Sequence, residues 1–222
     1  MILPALTLLL ACSGSSERPL GEDYRRYSNP EGLLNAEARL PARCDDWRDV
    51  IESARFISPI SGPGACGIAV PLEVVMLGED QPISLDQPAR LDCRFAQVLG
   101  AFAEGPLQEI ADEHFDEPVV SIGWSGSYAC RTRNHQAGAR LSQHALGLAF
   151  DLQGLRLADG RRLTVESGWD GDSDERAFWR DLWRAACGPF NTVLGPESDR
   201  FHQNHLHFDV DETRIGRKPY CR

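Results

Sequence analysis

Apolar residues along this chain change their spacing several times, and each change marks an element. From Asp45 to Phe56, Trp47, Val50, Ile51 and Ala54 recur at helical intervals, which predicts an amphipathic helix. Proline and glycine mark Ile57 to Gly67 as a loop, and Ile68 to Leu77 then reads as a strand. Leu91 to Phe115 predicts one or two helices, broken near Gly105-Pro106 because proline has no N–H to donate. After Pro118, Val119 to Ile122 predicts a strand that runs into a turn at Ser125-Gly126-Ser127. A further strand is expected over Leu148 to Leu155, with Arg162 to Glu166 as its partner.

The clearest helical pattern runs from Asp172 to Cys187. Phe178, Leu182 and Ala185 share a face, Asp172 or Ser173 can cap the start, and Gly188-Pro189 stops it. A last short strand, His205 to Val210, alternates its side chains. Helices mixed with short strands, without a βαβ repeat, predict an α+β fold. In that setting Trp169, Trp179 and Trp183 read as core, and the acidic run Asp170 to Glu175 as a solvated loop and helix start.

The N-terminus follows a different pattern. Ile2 to Ala11 is apolar but too short to cross a bilayer, which takes about 20 residues; its length suits a secretory signal. Residues 13–40 are polar and aperiodic, as a tether would be, so the domain is expected over 41–222. With 222 residues, 42% of them hydrophobic, the chain has material for one core. A net charge of −10 argues against nucleic acid, whose phosphates require clustered lysine and arginine.

Cysteine usage strengthens the case for export. Setting Cys12 aside from the seven cysteines leaves six: Cys44, Cys66, Cys93, Cys130, Cys187 and Cys221. Their even number, wide spacing and lack of a Cys-x-x-Cys pair indicate disulfides. Pairing in sequential order is the preferred expectation, with Cys187–Cys221 tying the C-terminus to the last long helix.

The chain has six histidines, and three of them are His202, His205 and His207. A fourth, His144, lies seven residues before Asp151. On the last strand His205, His207 and Asp209 should project from one face, a grouping that invites a shared metal. His114 and His135 belong to no such group and read as surface residues.

Several of these segments resemble known families. Leu9-Leu10-Ala11-Cys12 resembles the lipobox of bacterial lipoproteins, although no lysine or arginine precedes the apolar run. That likeness implies a signal peptide over 1–12, lipid on Cys12, and a periplasm-facing protein anchored to the cell envelope, in the outer membrane. Ser142-x-His144-x-x-Gly147-x-Ala149-x-Asp151 with His205-x-His207 resembles the motifs of LAS metallopeptidases, the group of lysostaphin and D-Ala-D-Ala dipeptidases. From Cys66 to Arg222 the chain resembles the bacterial extensin-like protein C-terminal domain family. That likeness is carried by Ala65-Cys66-Gly67, Gly126-Ser127-Tyr128-Ala129-Cys130-Arg131, Val193-Leu194-Gly195-Pro196, His205-x-His207-Phe208-Asp209 and Tyr220-Cys221-Arg222.

The resemblance implies a small antiparallel sheet flanked by helices, of the D-Ala-D-Ala metallopeptidase (Hedgehog/DD-peptidase) type. His144, Asp151 and His207 carry over as ligands of Zn2+, and His205 as the catalytic histidine beside it. His202 is a second candidate, because the His202, His205, His207 spacing is similar to that of penicillin-insensitive murein endopeptidase. Arg131 falls in the segment that resembles the fold's substrate region, with Arg133 and Asn134 as neighbours. Ser142 is expected to support the ligand loop and Gly147 to permit a close approach. Asp209 either orients His207 or faces solvent. Dipeptidases of the wider group carry a glutamate three residues before the last histidine ligand; here that position is Asn204. The implied activity is zinc-dependent hydrolysis of peptide bonds in peptidoglycan by a monomer. The alternative is an inactive peptidoglycan-binding lipoprotein that keeps the fold and metal site.

Overall fold

A computed structural model describes Leu40 and residues 43–222. Cys12 and the leader and tether expected over residues 1–39 lie outside the described residues. The domain begins with one 3-10 turn, Trp47–Asp49, and then β1 (Ser53–Phe56), where a single helix was expected. Trp47 and Ile51 are buried as the periodicity required, but Ala54 and Arg55 pair with Val74 and Glu73 of a neighbouring strand. Sheet pairing outweighs so weak a local helical preference.

The predicted loop contains a small ribbon of β2 (Ile60–Ser61) and β3 (Gly67–Ile68). Next come β4 (Pro71–Leu77) and β5 (Ile83–Asp92). The spacing of apolar residues did not reveal β5, because Asp86-Gln87-Pro88 interrupts it. The β4–β5 ladder passes from Met76↔Ser84 to Val74↔Ala89, so Pro88 sits in an irregularity where a missing N–H breaks no ladder bond.

The Asp92 carboxylate caps α1 (Cys93–Phe102) by accepting from the Arg94 N–H at 3.0 Å. The expected break at Gly105-Pro106 is instead a π turn, Ala103–Leu107, through which the helix continues into α2 (Gln108–Phe115). The wider turn accommodates a proline that cannot donate.

Then come β6 (Val119–Gly126), β7 (Ala149–Leu157), β8 (Arg162–Thr164) and the short α3 (Val165–Gly168). α4 (Ser173–Ala186) is capped by Asp172, which accepts from Asp174 and Glu175, and buries Phe178, Trp179, Leu182 and Ala186. Ala186 thus replaces Ala185 on the inward face. β9 (Thr192–Leu194), β10 (Leu206–Asp209) and β11 (Tyr220–Cys221) complete the chain.

The fold is mixed α+β with a core built mainly on sheet. The main sheet has nine strands in the order β1-β4-β5-β6-β7-β10-β9-β11, with β8 beside β7. It is larger than the small antiparallel sheet expected, and it is mixed, because β5–β6 and β9–β11 run parallel. The helical segment α1–α2 makes the crossover that a parallel β5–β6 pair requires.

One core joins the layers. Phe208 of β10 stacks on Phe190 with ring centroids 5.0 Å apart, and Phe102 of α1 meets both rings edge-on. Trp169 and Trp179 are buried here as expected, and Trp183 packs at the margin. His114 bonds Asp181 at 3.0 Å and so joins α2 to α4 instead of lying free on the surface.

Disulfides link Cys44 to Cys93, Cys66 to Cys130, and Cys187 to Cys221. Sequential pairing therefore holds for the last pair alone. Cys44 packs beside the start of α1, while Cys66 in the β2–β3 turn reaches the segment after β6. No helix among the described residues is long and apolar enough to cross a membrane.

Phe208 is fully buried between two layers, so Phe208→Ala should destabilise the domain by about 3–5 kcal/mol. Urea unfolding should show this as a lower midpoint with an unchanged slope.

Candidate metal centre

The site lies where β6, β7 and β10 adjoin. On β10, Leu206 and Phe208 enter the core, so alternation turns His207 and Asp209 to the opposite face. On β7, Phe150 and Leu152 enter the core and Asp151 points the other way. The antiparallel register sets His207 directly across from Asp151, and the His207 Nδ1 to Asp151 Oδ1 distance is 2.8 Å. Gly126, the last residue of β6, pairs with Asp151 on its other side.

His144 comes from above the sheet, on the 3-10 turn Gln143–Leu146. Ser142 starts that turn through its backbone, accepting from the Ala145 N–H and donating to the Arg131 carbonyl. Gly147 ends it at φ 70°, a left-handed conformation that favours glycine. A Cβ at Gly147 would lie 2.7 Å from the Asp92 nitrogen, so the close approach expected of this glycine is real.

Two hydrogen bonds outside the cluster fix the imidazoles. His144 Nδ1–H donates to the Ser127 carbonyl at 2.7 Å, which turns the Nε2 lone pair inward. His207 Nε2–H donates to Asp209 Oδ2 at 3.1 Å, which turns the Nδ1 lone pair inward. Asp209 therefore orients His207 and is itself buried, which settles the alternative left open by the sequence. The inward nitrogens are 3.2 Å apart, and His144 Nε2 is 3.1 Å from Asp151 Oδ2.

One ligand atom from each of His144, Asp151 and His207 lies within 4.8 Å of the others, and all three residues are buried. Three electron-pair donors facing one point repel unless a cation or proton lies between them. Burial pushes the His207 imidazole down, but its hydrogen bonds to the Asp151 and Asp209 carboxylates outweigh this and hold the group up at about 9. Burial also raises Asp151, and the two imidazoles overcome this to hold it well below the usual carboxylate range.

The residues fit a metal ion. Two nitrogens and one carboxylate oxygen are the donor set of a catalytic Zn2+ site with a position left open. Their outer hydrogen bonds set both tautomers, as such ligands require. Gly126 completes the cradle, since a Cβ there would overlap the Asp151 carboxylate and lie 3.0 Å from His144 Cε1.

His205 and His202 stand beside the cluster. His205 precedes β10; its Nδ1 donates to Asn204 Oδ1 at 2.9 Å, and its Nε2 lies 3.6 Å from Asp151 Oδ1. His202 Nδ1 donates to Asp199 Oδ1 at 2.8 Å, and its ring centroid is 5.2 Å from that of His205 and 5.6 Å from that of His207. Burial pushes both groups down, His205 to about 4, so both are neutral bases at pH 7.

Arg131 Nη1 donates to the Thr132 carbonyl at 3.4 Å, its own carbonyl accepts from the Ser142 N–H, and among the described residues no hydrogen bond or ion pair joins its side chain to the three ligands. Arg133 pairs with the buried Asp211 at 3.1 Å and so anchors the loop before the His144 turn to the segment after β10. Three contributors were not picked out from sequence: Gly126 as the cradle, the Ser127 carbonyl, and Asp199. The Asp199 to His202 spacing within a polar turn was the one signal available for the last.

A family model described as Extensin-like protein C-terminus matches residues 43–222. No curated protein and no solved structure matches the chain.

Gly126→Ala should weaken metal binding at least about tenfold through displacement of Asp151, measured by competition with a chelating dye. Because His207 titrates at about 9 without a metal, it is protonated at pH 7, and a metal must expel that proton. Zn2+ titrations at pH 7 in buffers of different ionisation enthalpy should report release of about one proton per ion.

Proposed function

The chain belongs to the extensin-like protein C-terminal family, and we propose that it is a zinc peptidase acting on peptide bonds of peptidoglycan. The observation that carries this is the buried convergence of His144, Asp151 and His207, with two more imidazoles beside it. The likeness of these motifs to LAS metallopeptidases supports both the choice of zinc and a fold of the DD-peptidase type. The disulfides and the lipobox-like Cys12 support an exported protein, lipid-anchored in the envelope and facing the periplasm, where peptidoglycan is the available polymer.

His144, Asp151 and His207 would hold Zn2+, which would supply a Lewis acid able to make water a nucleophile near neutral pH. The remaining work is proton transfer, and the chain's own residues can perform it. His205 Nε2 carries the lone pair on the cluster side, because Asn204 accepts the proton of Nδ1. Asp199 holds His202 in the same tautomer, leaving Nε2 to accept a proton and return it to a leaving amine. Asn204 cannot itself act as a base, but it holds His205 in the tautomer that can.

A second function, binding peptidoglycan without cutting it, is favoured by the absence of a carboxylate at position 204. Digestion of purified sacculi with analysis of released peptides by mass spectrometry separates the two. Wild type should release peptides and His205→Ala should lose at least about a hundredfold of that rate. His144→Ala should abolish both bound zinc and release. Wild-type protein that binds no zinc would end the proposal, and zinc-loaded protein that releases nothing would leave the binder.

A further inference from the structure

The β6–β7 register passes from Trp124↔Leu152 to Gly123↔Gly154, so Gln153 is an extra residue of β7 and the face that carries Asp151 continues into a cavity of about 420 Å³, walled by β5, β6, β7 and β8. Asn204, the hydrogen-bond partner of His205, lines it, and so does Gln153, two residues beyond Asp151. Arg156 and Arg162 line it too. These two arginines are directly opposed across the β7–β8 ladder.

Like charges set opposite each other on adjacent strands destabilise a sheet. Several other arginines of the domain find carboxylates, among them Arg161 with Asp159 and Arg180 with Glu197. Neither the Arg156 nor the Arg162 side chain has a hydrogen-bond or ion-pair partner among the described residues. The fold therefore gains nothing visible from the pair, whereas an anion between the two guanidinium groups would relieve their repulsion.

We infer that Arg156 and Arg162 form a carboxylate-binding subsite for an acidic peptide whose scissile bond lies at the metal centre. The inference rests on the peptidase function proposed above and names its substrate class. Arginine suits the task, because its planar fork matches a carboxylate with two parallel hydrogen bonds. Asp86 and Glu166 line the same cavity without an ion pair to either arginine. They disfavour a polyanion and leave a single carboxylate on a peptide as the fitting ligand. Asp151 and Arg156 are five steps apart on a bulged strand, at most about 16 Å at 3.3 Å per residue. An extended peptide covers that distance in roughly two to four residues once the length of the arginine side chain is counted.

The test is co-sedimentation of the zinc-loaded full chain with purified sacculi, before and after carbodiimide amidation of their free carboxylates. Wild type should bind amidated sacculi at least about tenfold more weakly than native ones. General electrostatics predicts the opposite, because amidation removes negative charge facing a protein of net charge −10. Arg156→Gln with Arg162→Gln should weaken binding to native sacculi by the same factor and make it insensitive to amidation. Arg156→Lys with Arg162→Lys should keep part of the affinity. Thermal melts of the glutamine variants should match or exceed wild type, since a repulsive pair is removed. Wild-type binding unchanged by amidation, glutamine variants that bind like wild type, or no binding to native sacculi would each overturn the subsite. The readout needs no turnover, so the two proposals fail separately. Carboxylate-dependent binding without zinc or cleavage removes the peptidase and keeps the subsite, whereas cleavage with carboxylate-independent binding does the reverse.

Discussion

The cross-strand pairing of His207 with Asp151 governs the arrangement of the site. These residues are far apart in the chain, yet antiparallel register brings their ligand atoms to 2.8 Å. A slip of one residue would send His207 into the core and Phe208 out of it. The register is held from the other face, where Phe208 stacks on Phe190 and Phe150 packs against Trp124. Apolar packing on one side of the sheet thus sets the geometry of polar groups on the other.

Burying those polar groups costs free energy that hydrogen bonds and partners of opposite charge must offset. The bonds to Ser127 and Asp209 make the problem sharper, because they commit the outer ring nitrogens as donors and turn the inner ones into acceptors. Two imidazole lone pairs and a carboxylate then face one another. A proton on His207 resolves the conflict in part; a divalent ion resolves it fully. Gly126 leaves the space that this requires.

Most of the site was legible in the sequence because its ligands sit in compact motifs on short, strongly patterned elements. His144 to Asp151 spans one turn and the start of one strand, and His205-x-His207 reads as strand alternation. Asp209 was visible as a neighbour of His207, but whether it oriented the ring or faced solvent depended on what covered that face of the sheet. For Arg131 the motif gave the segment but not the orientation of the side chain, which the fold commits to the Thr132 carbonyl.

The fold was legible where burial leaves a simple period and hidden where pairing decides. The length, cap and face of α4 could be read directly, because one side of a helix meets the core at regular intervals. β1 and β5 could not, since an edge strand and a strand interrupted by Pro88 owe their conformation to β4 and β6. The sequence by itself determined which residues could bind a metal, that six cysteines would form disulfides, and that the domain would mix helix with sheet. Tertiary structure alone decided the disulfide partners, the parallel β5–β6 pair, the Asp199–His202 contact and the opposed arginines of β7 and β8. Each of these depends on which distant segments become neighbours, and that is settled by packing of the whole core.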